Sequence, residues 1–147
     1  MIHYNSSNVN SEYKIQMDFS ENSDLFSQLE FIPDVVINNA AIFKKDGDED
    51  FKKIFEVNFF APVRITQDFY KVNPNGVVIN ILDAWASTLP DKFMNYALSK
   101  ITLEDFTKGM KKRKARDFRV VGLMIGATFF KEGQKREVFD KIPQTSI

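Results

Sequence analysis

Short, nearly unbroken apolar runs recur along this chain, separated by longer segments whose apolar residues return at helical spacing. The runs Val35-Val36-Ile37, Val77-Val78-Ile79-Asn80-Ile81 and Val120-Val121-Gly122-Leu123-Met124-Ile125 are rich in β-branched residues and do not alternate apolar with polar. That is the pattern of parallel strands covered on both faces. Helical segments between them supply the crossovers that parallel neighbours need. The combination confines the chain to an α/β architecture with a mainly parallel sheet.

This pattern predicts strands over 13–19, 34–39, 76–83 and 119–126, a weaker one over 1–5, and helices over 22–30, 49–72 and 94–116. In the middle helix Phe51, Ile54, Phe55 and Phe59 recur at helical spacing and Phe69 continues the pattern. Pro62 inside it predicts a kink, or two abutting helices. Asn73-Pro74-Asn75-Gly76 is a turn that starts the next strand. The stretch Asn5-Ser6-Ser7-Asn8-Val9-Asn10-Ser11 is shorter than the roughly dozen-residue crossover between parallel neighbours, so a hairpin is expected there, or no first strand at all. No repeat or linker interrupts the chain, which reads as one domain over 1–147.

Composition narrows the function. A length of 147 residues, 44% hydrophobic with 15 phenylalanines, suffices for an ordered core. Zero formal net charge gives no general attraction to nucleic acid or to an anionic membrane, so neither is expected as a partner. The run Lys111-Lys112-Arg113-Lys114-Ala115-Arg116 reads as a solvated helix end favoured by the helix dipole. With no cysteine and a single histidine, His3, neither disulfides, a thiolate nucleophile nor a histidine metal cluster is available. No apolar run approaches the ~20 residues of a membrane span, and the start Met-Ile-His-Tyr-Asn lacks the regions of a signal peptide, so a cytoplasmic location is expected.

The chemistry gathers at one edge of the expected sheet. Asp83 closes the run from Val77, at the carboxyl end of a strand, where ligands of open α/β sheets bind. Tyr96 and Lys100 lie four apart at the start of the next helix, and a helix turns about 100° per residue, so phenol and ammonium share a face and can handle a proton. Asn38-Asn39-Ala40 closes the preceding strand and Asn58 lies in the long helix between. Each has an ordinary reading as well. Tyr96 and Lys100 also suit a plain amphipathic helix, Asp83 a local cap, Asn58 a buried backbone partner, Phe43 and Trp85 packing, and Asp18 a surface turn. The convergence is more specific than any member.

At these residues the chain resembles the short-chain dehydrogenase/reductase family: Asn38-Asn39-Ala40 after one strand, Val57-Asn58-Phe59-Phe60-Ala61-Pro62 in the next helix, and Tyr96-Ala97-Leu98-Ser99-Lys100. Most of that family has serine where Asp83 stands; aspartate there resembles the pteridine reductase branch, which reduces dihydropteridines and folates with NADPH. The resemblance implies a Rossmann-like three-layer sandwich. It also implies catalytic roles for Asp83, Tyr96, Lys100 and Asn58. Tyr96 would be the proton donor, its pKa lowered by Lys100, which also bonds the nicotinamide ribose. Asp83 would hydrogen-bond the tyrosine or the substrate and help relay the proton. Asn58 would hold a water that links Lys100 to solvent. Asn38, Asn39 and Ala40 would line the NADPH, Asp18 would contact its adenine, and Phe43 would sandwich the pterin against the nicotinamide. The cofactor would supply the hydride, leaving position and proton to the protein. The family's dimer interface uses the long helix and the Tyr96 helix, which implies a homo-oligomer.

The sequence also departs from the family. Residues 1–5 resemble its second strand, so the strand and Gly-x-x-x-Gly-x-Gly loop that present backbone N–H groups to a pyrophosphate have no counterpart, and neither do the last helix and strand. The missing first strand lies at the centre of the family's sheet, so two unpaired edges are expected to face each other unless the strands reorder or a partner fills the gap. The arginine that grips a 2′-phosphate is absent, and Ala41 and Ile125-Gly126 stand where that branch has serine and Pro-Gly. Two expectations follow: an NADPH-dependent pterin or folate reductase, or a catalytically inactive remnant acting as an interaction fragment.

Overall fold

A computed structural model describes residues 2–4, 14–16, 18–19, 25–111 and 117–126. Three strands, β3 (Val35–Asn38), β4 (Val77–Asp83) and β5 (Arg119–Ile125), form an all-parallel sheet in the order β3-β4-β5. Val35 pairs with Val77, and Val77 with Arg119, so the carboxyl ends of β4 and β5 finish level at Asp83 and Ile125. All three match the expected strands to within a residue or two.

Two further strands, β1 (Ile2–Tyr4) and β2 (Lys14–Gln16), pair in parallel as a separate sheet, with Ile2 opposite Lys14. The expected hairpin is therefore overturned, as is the doubt that the first strand exists. A three-residue strand covers about 10 Å and nine residues can span up to about 30 Å, so the short spacing does not by itself exclude parallel pairing. That connection lies outside the described residues.

The long middle helix has three parts. Asp50 caps its start, its Oδ1 accepting from Lys52 N at 2.9 Å. Helix α1 (Phe51–Phe55) passes into a π-helical turn (Glu56–Phe60) and then α2 (Ala61–Val72). The π turn ends just before Pro62, which stands in the first turn of α2; the helix runs on through it, and the wide turn is where the backbone accommodates a ring that donates no N–H. The expected kink is thus an inserted wide turn. Such turns are frequent at functional sites, and this one places Asn58 at its centre. Helix α3 (Met94–Lys111) follows β4, and the rest of the basic run lies outside the described residues. Of the helix expected over 22–30, the described part is a single 3-10 turn, Phe26–Gln28, after which Leu29 is extended.

Helices cover one face of the sheet. There Phe26, Ile65, Phe69, Val78, Phe118 and Val120 form the buried core, with Phe26 stacked on Phe69 at 5.5 Å. Gly76 is required by packing: a Cβ at that position would stand 2.5 Å from the Phe69 ring. The same face carries a buried polar ladder. Asn38 Nδ2 donates to Asn80 Oδ1 and Asn80 Nδ2 donates to Thr107 Oγ1, both at 2.8 Å, tying β3, β4 and α3 in one register. On the other face Val35, Ile37, Val121 and Leu123 are exposed. Among the described residues β3 pairs with β4 alone, and a cavity of about 190 Å³ lined by Phe19, Phe26, Leu29, Val36 and Ile65 lies beside it.

Candidate active site

The carboxyl end of β4 delivers Asp83 to the surface, where the chain turns sharply. Its Oδ1 accepts from Trp85 N at 2.8 Å, so the carboxylate closes the turn it begins. Its Oδ2 accepts from the Tyr96 hydroxyl at 2.6 Å. Tyr96 stands in the first turn of α3, 6% exposed, and Lys100 one turn further is 5% exposed, its Nζ donating to Ile81 O at 2.9 Å. Residues thirteen apart in sequence thus meet because β4 and α3 pack side by side.

The electrostatics differ from the expectation that Lys100 lowers the tyrosine's pKa. Burial raises it first, and the hydrogen bond to the Asp83 carboxylate together with its negative charge raises it further. The group nearest the phenol is an acceptor anion, beside which a phenolate is disfavoured. Lys100 is itself pushed below the ordinary amine value by burial, a shift that the charge of Asp83 partly offsets. In this state Tyr96 holds its proton firmly and aims it at Asp83.

Asn58 is fully buried, and its amide is spent on protein. Its Oδ1 accepts from Ile42 N at 2.7 Å, and its Nδ2 donates to Ile42 O and to Ser99 Oγ, both at 3.0 Å. Ser99 Oγ in turn donates to Tyr96 O at 2.6 Å. With both amide hydrogens used, the side chain ties the loop after β3 to the Tyr96 helix. Phe43, on that loop, is 53% exposed; it meets the Tyr96 ring edge-on at 4.7 Å and Trp85 at 6.0 Å.

Asn38 goes elsewhere: its amide belongs to the buried ladder with Asn80. Asn39 and Ala40 are exposed just past β3. Asp18 is half-buried beside Phe19, whose carbonyl accepts from Arg64 at 3.0 Å and whose ring lines the cavity next to β3. The structure therefore brings Asp83, Tyr96, Lys100, Asn58 and Phe43 to one place and separates Asn38 from them. The sequence reading missed Ser99, Phe93 and Asp46. Phe93 lies face to face on Phe43 at 4.6 Å and 4°, and its place three residues before Tyr96 is the signal that it points to the same side of the helix start.

A strand-end aspartate bonded to a helix tyrosine, with a buried lysine one turn on, sits on a parallel sheet flanked by helices. A sequence model described as short chain dehydrogenase matches residues 8–137, and the chain belongs to that family, with a Rossmann-like fold. It is similar to the short-chain dehydrogenase PC-15 of Penicillium crustosum, 29% identical over 77% of this chain and 47% of that protein. It spans about half the length of the curated relatives it matches. Among solved structures it is similar to FolM alternative dihydrofolate reductase 1 from Brucella suis in complex with NADP. That match has 28% identity and a TM-score of 0.74, and covers 87% of this chain and 57% of the other. It is also similar to a 4-hydroxyisoleucine dehydrogenase complexed with NADH, with 27% identity, a TM-score of 0.67, and 77% and 57% covered. No described helix is long and apolar enough to cross a membrane.

Proposed function

We propose that this chain carries the proton-transfer half of an NADPH-dependent reductase acting on pterins or folates in the cytoplasm. The observation that carries the reading is the 2.6 Å bond from the Tyr96 hydroxyl to Asp83, with the half-exposed ring of Phe43 meeting the Tyr96 ring edge-on. Burial and Asp83 keep this phenol in its acid form, so the pair holds a proton at the sheet's carboxyl edge; passing it to a ring nitrogen would require the substrate to take the place of the Asp83 bond and the phenol's pKa to fall toward the operating pH. The likeness to two FolM reductases solved with NADP, 28% and 27% identical, supports the same reading.

The side chains present fit the nicotinamide end of such a cofactor. Lys100 and the exposed backbone at Asn39 and Ala40 would hold it beside Tyr96, and Phe43 offers a flat apolar surface near by. Bound there, the cofactor supplies the hydride. The described residues beside β3 are different in kind: apart from Asn38 the cavity wall is apolar, and it carries no charged side chain for a pyrophosphate.

The test is a fluorescence titration with NADPH combined with a dihydrobiopterin turnover assay. Saturable binding that vanishes in Lys100→Ala, with turnover lost in Tyr96→Phe, is the expected result. No binding at millimolar cofactor sinks the reading for this chain on its own. It would favour the second reading, a non-catalytic interaction fragment, to which the edge of β3 that no described strand pairs, and the largely apolar cavity beside it, lend support. Self-association through α2 and α3 belongs to either reading and is measured by sedimentation.

A further inference from the structure

Although Phe43 lies on an exposed loop, two pins bracket it. On one side Asn58 bonds both the N–H and the carbonyl of Ile42. On the other, Asp46 N donates to Lys92 O at 3.0 Å, while its Oδ2 and Oδ1 accept from Met94 N at 2.9 Å and Asn95 N at 3.0 Å. Asp46 therefore grips the chain immediately before and after Phe93, and Phe93 is the ring that lies flat on Phe43. Trp85 completes the cluster, 5.5 Å from Phe93. The loop that carries the Phe43 platform thus also carries the clamp that backs it.

We infer that Asp46 is a positioning residue: by joining the Phe43 loop to the start of α3, it fixes the Phe43–Phe93 stack beside the Tyr96 hydroxyl as a preformed platform for a flat heteroaromatic ring. The inference rests on the ring-reducing reading proposed above. Its physics is local. A carboxylate that accepts two N–H groups at a helix start makes charge-assisted bonds in the direction the helix dipole favours. Asparagine has a single acceptor oxygen and would turn its NH2 toward the second N–H, so it can hold only half the clamp. Asp46 is exposed, so its loss unpins the loop without opening the core. A platform fixed in advance spares a ligand the entropy of ordering it.

Trp85, the sole tryptophan, reports on this cluster directly. The experiment compares wild type, Asp46→Asn, Phe43→Leu and the double variant by Trp85 emission, by near- and far-ultraviolet circular dichroism, and by titration with dihydrobiopterin. The expected result for Asp46→Asn is a red-shifted Trp85 emission and a diminished near-ultraviolet signal, with the far-ultraviolet spectrum unchanged and pterin binding weakened at least tenfold. In the Phe43→Leu background Asp46→Asn should weaken binding no further, because it acts through the ring; a residue that merely supported the fold would add its loss to the double variant. Unchanged emission and near-ultraviolet signal in Asp46→Asn, or additive losses of binding, overturn the inference. If wild type binds no pterin the reductase reading fails, and the Trp85 comparison alone decides the clamp: a shift upholds it, no shift overturns it.

Discussion

The Tyr96 hydroxyl donates to Asp83 Oδ2 at 2.6 Å, and this bond adds to burial in holding the phenol protonated. It joins the last residue of β4 to the first turn of α3, so the tyrosine's acidity depends on where a strand ends. A carboxylate beside a buried phenol keeps the phenol protonated.

The tyrosine should therefore resist ionisation in the native protein. Absorbance titration near 295 nm is expected to show at least one of the four tyrosines failing to ionise until the protein unfolds, and Asp83→Asn should lower its pKa in part, the raising effect of burial remaining. The folded pKa lies above the unfolded one, so the associated stability is complete below the ordinary phenol value, about 10, and is lost as pH rises above it. Urea unfolding across that range should show a falling limb, less steep in Tyr96→Phe.

Lys100 has the opposite sign. Its folded pKa is depressed by burial, so the unfolded chain binds more protons and stability rises with pH, up to the ordinary amine value of about 10.4. Lys100→Met should abolish that rising limb in the same unfolding series, while removing the ammonium that the proposed cofactor needs. An unchanged pH slope in this variant counts against a buried, shifted lysine.

Asn58→Ala should destabilise the fold by about 2 kcal/mol, since it removes the partners of the part-buried N–H and carbonyl of Ile42, each worth about 1 kcal/mol, while the Ser99 hydroxyl loses Asn58 but keeps its bond to Tyr96 O. Chemical denaturation measures this. Because those bonds connect the Phe43 loop to the Tyr96 helix, the Trp85 emission should shift in the same variant under native conditions.

Gly76→Ala tests the packing that launches β4. A methyl group there would stand 2.5 Å from Cε1 and Cζ of the fully buried Phe69, and a ring locked between Phe26 and Phe118 has little room to retreat. A loss of about 1–3 kcal/mol is expected from thermal or urea unfolding, of the size usual for an overpacked core.

Much of this arrangement was legible in the residues. The β-branched runs at Val35, Val77 and Val120 located β3, β4 and β5 because strand formation depends on local composition, whereas the expected cover on both faces is not found among the described residues, where Val35, Ile37, Val121 and Leu123 are exposed. Asp83, Tyr96 and Lys100 were legible for a similar reason: a strand end and a four-residue helical spacing are local facts. Pro62 announced an irregularity in its helix, but whether a kink or a π turn accommodates it depends on what the helix packs against. The parallel pairing of β1 with β2 was not legible either, since pairing direction depends on the path of the connection rather than on either strand.

The sequence by itself determined the alternation of strand and helix, the family, and which side chains stand at the sheet's carboxyl edge, because these follow from residue type and spacing along the chain. Only the tertiary structure decided the direction of the Tyr96 pKa shift, the assignment of Asn38 to an internal ladder with Asn80, the use of the Asn58 amide on Ile42 and Ser99, and the clamp of Asp46 around Phe93. Each of these depends on which groups from distant segments come within about 3 Å and how much water is left between them, and neither quantity is written in the local order of residues.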